Sequence, residues 1–179
     1  MRESTVAKNY AEALLVLGEK AKSVEKFGDL IEGVGGAIEA EPRVRAVLAS
    51  PRVTKAEKSG FLAKALKKKA PKSFIDFLDA VVKRGRQNII PTIAREYLAL
   101  VDVKFNRVHA NVVMARDPDK KLQKEITERL VEIMGKEVIP HFRTDPGILG
   151  GVLIRVGDRV MDGSLRRRMK ILKRRMLVG

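Results

Sequence analysis

At 179 residues the chain is long enough for one domain or two small ones. Its hydrophobic share of 45% supports a packed core, and the absence of cysteine excludes disulfides, thiolate metal sites and cysteine nucleophiles. A formal net charge of +15 favours anionic partners, whether nucleic acid, membrane surface or acidic protein, without choosing among them.

No secretory leader is expected, because an amphipathic pattern containing Glu12 begins almost at once. No apolar run is long enough to span a bilayer, so any membrane association is expected to come through a partner. Ser4 or Thr5 can cap a first helix, in which Val6, Tyr10, Leu14 and Leu17 recur at helical spacing. Ala7 and Ala11 lie on a neighbouring stripe of small residues. A second helix carries Val24, Phe27, Ile31, Val34 and Ile38, and Gly33, Gly35 and Gly36 weaken its later half. Pro42 opens a short third helix through Val44, Val47 and Leu48, which Pro51 closes. Thr54 and Glu57 form a capping-box pattern ahead of Phe61, Leu62, Ala65 and Leu66. A fifth helix from Pro71 bears Phe74, Phe77, Leu78, Val81 and Val82, with Gly85 as its C-cap. Asn88 and Pro91 open a sixth through Ile93, Tyr97, Leu98, Val101 and Phe105.

Around His109 the period changes to alternation, so Val108 to Met114 reads as a strand. Asp117-Pro118-Asp119 is a turn and helix start, followed by the stripe Leu122, Ile126, Leu130 and Ile133. Residues 138–142 read as a second strand, 151–156 as a third, and 159–161 as its hairpin partner across Gly157-Asp158. A last helix from Ser164 has Leu165, Met169, Leu172 and Met176 on its apolar face. The class is therefore α+β: a six-helix bundle over residues 1–107, then a small α/β domain over 108–179. No Gly- or Ser-rich linker marks the boundary, so a helix continuing across it is compatible with the sequence.

No catalytic machinery is recognisable. The chain lacks a phosphate-binding loop, a nucleophile elbow and a paired-histidine zinc motif, and Gly33-Val-Gly-Gly36 lacks the strand that a dinucleotide site requires. His109 and His141 each sit in a strand-like segment with no nucleophile or carboxylate pattern around them. Asp117 and Asp119 read as a helix cap rather than metal ligands. The expectation is a protein with no catalytic residue, metal or cofactor. The segment from Leu165 to Met176 covers most of its solvent face with cations, which suits phosphates or an anionic surface. A basic nucleic-acid-binding protein is the alternative, although aromatics make up only 4% and form no stacking pair on a strand.

Three stretches carry a family resemblance: Ala7-Lys-Asn-Tyr-Ala-Glu-Ala-Leu14, the segment from Phe77 to Pro91, and the string from Gly150 to Ser164 with its arginine-rich helix. In that order they resemble the delta (OSCP) subunit family of F-type ATP synthases. The signature residues of the third stretch are Gly150, Gly151, Gly157, Asp158, Asp162, Gly163 and Ser164. The resemblance implies a non-catalytic stator on the cytoplasmic face of a bacterial plasma membrane, held there through the complex, with no nucleotide or nucleic acid bound directly. It implies that α-subunit N-terminal helices lie between the first and fifth helices, against Ala7, Tyr10, Ala11, Leu14, Leu78, Val81 and Val82. It further implies that the C-terminal domain holds the b-type peripheral stalk. The basicity points to an acidic or otherwise complementary stalk surface opposite Arg166, Arg167, Arg168, Lys170, Lys173, Arg174 and Arg175.

Overall fold

The structure is a computed structural model that describes residues 2–67 and 69–178, with the backbone alone at 2, 175, 177 and 178. Among these residues there are eight α-helices and one four-stranded sheet, an α+β arrangement. The chain divides into two compact units, Met1–Val103 and Lys104–Gly179.

The first unit holds α1 (Arg2–Lys20), α2 (Val24–Ala40), α3 (Pro42–Ala49), α4 (Lys55–Leu66), α5 (Lys72–Lys83) and α6 (Ile90–Lys104). α1 starts ahead of the expected Ser4 or Thr5 cap. Gly33, Gly35 and Gly36 do not interrupt α2. A side chain at Gly35 would bring its Cβ within 3.1 Å of the Ala94 Cβ, so the missing atom lets α6 approach closely. Glu41 ends α2 and also caps α3, where Pro42 takes the first turn. The expected capping box is present at α4: Glu57 N donates to the Thr54 hydroxyl at 3.2 Å, and Thr54 N donates to the Glu57 carboxylate at 2.8 Å.

The apolar stripes converge on a single core containing Leu14, Phe27, Ile31, Phe74, Leu78, Ile93 and Tyr97. Phe27 and Phe74 meet edge to face with centroids 5.5 Å apart. Tyr97 is fully enclosed and donates its hydroxyl to the Val24 carbonyl at 2.9 Å, so the buried polar group is satisfied. Burial, with a smaller contribution from the Glu19 carboxylate, pushes its phenol up to about 12.

α6 stops at the first residue of the second unit. It ends at Lys104, and Asn106 with φ +53° turns the chain into β1 (Arg107–Met114). Then follow α7 (Lys120–Met134), β2 (Glu137–Thr144), β3 (Val152–Val156), β4 (Arg159–Asp162) and α8 (Leu165–Val178). The sheet order is β2-β1-β3-β4. β1 and β2 are parallel, with Arg107 opposite Glu137 and Met114 opposite Thr144, so α7 is the crossover that parallel pairing requires. β3 runs antiparallel to β1 and turns into β4 through Gly157-Asp158, where Gly157 has φ +55°. Pro140 is tolerated because β2 is an edge strand. Ala110, Val112, Leu130, Val138 and Val156 form the core under α7.

Two glycine substitutions separate backbone strain from open space. Gly151 has φ +83°, and an added Cβ would run into the Gly163 carbonyl oxygen, a backbone atom that cannot swing away. Gly151→Ala is expected to destabilise the second unit by about 1–3 kcal/mol in urea unfolding. Gly33→Ala meets nothing within 4 Å on a regular helix. It should stabilise the first unit by about 0.5–1 kcal/mol.

Candidate partner-binding surfaces

The first and fifth helices do lie together, but most of the residues expected to line a groove between them face inward. Ala7, Ala11, Leu14, Leu78, Val81 and Val82 are all enclosed in the core of their own unit. Helical spacing reports a buried stripe, and it reads the same whether the covering surface is the same chain or another one. Tyr10 is the one of the seven with partial exposure. Its ring meets Phe77 edge to face at 6.2 Å, and the Arg86 guanidinium lies 5.6 Å from its centroid. The Tyr10 hydroxyl is shielded from solvent and has no hydrogen-bond partner among the described residues.

Beside it a cleft of about 290 Å³ opens between the start of α1 and the turn after α5, lined by Glu3, Val6, Gly85, Arg86, Asn88 and Ile89. Helical spacing puts Val6 on the core stripe and makes Gly85 only a helix end. The signal for this surface lay in the turn itself, where Gly85 takes φ +69° and Arg86 reaches the Tyr10 ring. A more apolar cleft of about 420 Å³ lies among α2, α3 and α4, with Leu30, Val34, Val44 and Phe61 in its walls.

In the second unit the glycine-rich string fastens the start of α8 to the sheet. Gly163 N donates to the Val152 carbonyl at 2.9 Å, and Leu165 N donates to the Gly150 carbonyl at 2.9 Å. Gly150 and Gly151 both have positive φ, which admits this close crossing. Ser164 N donates to the Asp162 carboxylate at 3.0 Å, while the buried Ser164 hydroxyl accepts from Arg167 N at 3.2 Å and caps α8. The Ser164 hydroxyl and backbone N–H hold the Asp162 carboxyl below its ordinary value, with the Arg167 charge adding to the effect. Asp158 is exposed at the hairpin turn.

Arg166, Arg167, Arg168, Lys170, Lys173 and Arg174 are all exposed on α8, and the side chain of Arg175 lies outside the described residues. Arg166, Arg167, Lys170 and Arg174 join Asp162 and Ser164 around an open cleft of about 540 Å³; Arg168 and Lys173 stand outside it. On β1 and β2, His109 Nδ1 and His141 Nε2 are 2.9 Å apart with their rings stacked. Among the described residues, no group of three or more histidine or carboxylate side chains gathers as a metal site. None of the described helices is long and apolar enough to cross a membrane.

The model of the ATP synthase delta (OSCP) subunit family matches residues 6–176. The chain belongs to that family. Among similar proteins, an ATP synthase subunit delta of Gemmatimonas aurantiaca is 50% identical over 172 residues, covering 96% of this chain and 93% of the relative. A subunit delta of Desulforamulus reducens is 33% identical, covering 99% of this chain and 98% of the relative. In fold, the chain resembles one from the Toxoplasma gondii mitochondrial ATP synthase hexamer, with a TM-score of 0.65 at 20% identity, covering 96% and 97% of the two chains. For the delta (OSCP) family the reading as a basic nucleic-acid-binding protein finds no support.

The Asp162–Ser164 contact makes the start of α8 sensitive to acid. A depressed folded-state value means the contribution is present above the ordinary 3.8 and is lost as pH falls through the lower folded value. Carboxyl NMR titration should place the Asp162 midpoint below 3.8, and Ser164→Ala should return it towards that value.

Proposed function

We propose that this chain is the non-catalytic stator subunit of a bacterial F-type ATP synthase, joining the catalytic head to the peripheral stalk during rotary ATP synthesis. In this reading the six-helix bundle of residues 1–107 binds α-subunit N-terminal helices, and residues 108–179 bind the b-type stalk. The complex holds the subunit at the cytoplasmic face of the plasma membrane. The observation that carries the reading is family membership along residues 6–176, with a relative that is 50% identical.

The physics is helix-in-groove recognition. An α-subunit helix would lie across the α1–α5 face, touching Tyr10 and the cleft walls at Val6 and Ile89. Ala7, Ala11, Leu14, Leu78, Val81 and Val82 pack beneath and hold those walls in place. Torque on the head must be resisted without release, so apolar anchors supply slow dissociation and charges refine the register.

Calorimetric titration of the full chain with a peptide from the α-subunit N-terminus tests this directly. Saturable one-to-one binding that survives high salt is expected, and Tyr10→Ala should weaken it by about tenfold, or 1.4 kcal/mol. Absence of peptide binding alongside strongly salt-dependent binding of RNA would overturn the stator reading.

A further inference from the structure

The chain has two histidines, and they meet on the sheet of the second unit. Alternation along β1 sends Ala110 and Val112 into the core under α7 and leaves His109 and Asn111 on the opposite face. In the parallel register Ile139 lies opposite His109, and His141 stands two residues further along, opposite Asn111. The two rings therefore come from adjacent strands and lean together across the ladder, with His109 Nδ1 2.9 Å from His141 Nε2. Both residues are exposed.

A hydrogen bond between exposed imidazoles adds little to stability, because water competes for both partners. The same spacing suits a different task. Two nitrogens held about 2.0–2.1 Å from one ion stand about 2.9 Å apart at a right angle and about 3.3 Å apart at the tetrahedral angle. The observed 2.9 Å matches neighbouring ligands of square-planar or octahedral Cu2+ and Ni2+, and it falls short of tetrahedral Zn2+. The ladder from Arg107–Glu137 to Met114–Thr144 fixes both backbones, so chelation needs no movement of the strands. It needs His109 to carry its hydrogen on Nε2 and His141 on Nδ1. It also needs a turn about χ2, a broad torsion in histidine, to aim both lone pairs at one ion.

The surroundings narrow the choice of ion. Glu137 lies on the same face, but Arg107 engages its carboxylate at 2.8 Å. Among the described residues no third histidine or carboxylate gathers with the pair as a metal site. Two imidazoles without a carboxylate favour late transition ions over Mg2+ and Ca2+, which take oxygen ligands. Arg143 and Arg155 share the face and oppose any cation, so affinity has to come from the bonds to nitrogen.

We propose that His109 and His141 form a two-nitrogen chelate for a divalent late transition ion, Cu2+ or Ni2+ in kind, with solvent completing its coordination. The bound ion ties the edge strand β2 to β1. The site is independent of the stator reading and shares no residue with either proposed partner surface.

Calorimetric titration of the full, untagged and chelator-treated chain with Ni2+ should show one ion per chain. His109→Ala and His141→Ala should each lose at least about tenfold in affinity. The double variant should lose little more than either alone, because a chelate fails once one ligand is gone. With Cu2+, electron paramagnetic resonance should show coupling to two imidazole nitrogens in the wild type and to one in each single variant. Zn2+ should bind more weakly than Cu2+, and Mg2+ should not compete. Bound Ni2+ should slow hydrogen exchange in β2. Because both rings are exposed, circular dichroism should show the variants folded.

Ni2+ affinity unchanged in both single variants overturns the site, as does the absence of saturable binding. One ion per two chains, with dimerisation in sedimentation, puts histidines of separate copies on the ion and overturns it too. Zn2+ binding more tightly than Cu2+ overturns the right-angle geometry and the ion class with it.

Discussion

No side chain fits between Gly151 and the Gly163 carbonyl oxygen, and the second unit is arranged around that contact. Bare backbone at both ends lets the strand that opens β3 cross the segment that opens α8. Asp162 then accepts from the Ser164 N–H, and the Ser164 hydroxyl accepts from the Arg167 N–H in the first turn of α8. The start of α8 is held by backbone hydrogen bonds rather than by packing along the helix. The result is a helix anchored firmly at its first turn and exposed along its length.

The first unit solves a different problem. Its helices bury broad apolar stripes around Tyr97, Phe27 and Phe74, and the buried Tyr97 hydroxyl finds a carbonyl partner. That core holds α1 beside the turn after α5. At the margin of that core lie a half-buried tyrosine, an arginine over its ring and a shallow cleft alongside. The two units therefore offer contrasting surfaces, one a shaped margin over a packed core and the other an uncovered amphipathic helix.

Local chemistry made several elements legible beforehand. The Thr54–Glu57 capping box and the Gly157-Asp158 hairpin both depend on neighbouring residues, and both are present. α2 was less legible, since propensity predicts weakness at Gly33, Gly35 and Gly36. Close approach to Ala94 on α6 outweighs that cost, and the contact spans most of the unit's sequence. The groove residues were harder still. Ala7, Ala11, Leu14, Leu78, Val81 and Val82 carry an apolar period that says they will be covered but not by what.

By itself, the sequence determined the class of the fold, the order of its elements, the absence of cysteine chemistry and the apolar face of the last helix with the cations around it. These follow from composition and from spacings within one helix or one turn, where the interacting groups are neighbours in the chain. The tertiary structure alone decided that the α1 and α5 stripes face their own core, that β1 pairs in parallel with β2, and that the apolar face of α8 is left exposed. Burial depends on which distant segments come to lie against a face, and an apolar stripe carries the same spacing whether its cover comes from its own chain or from a partner.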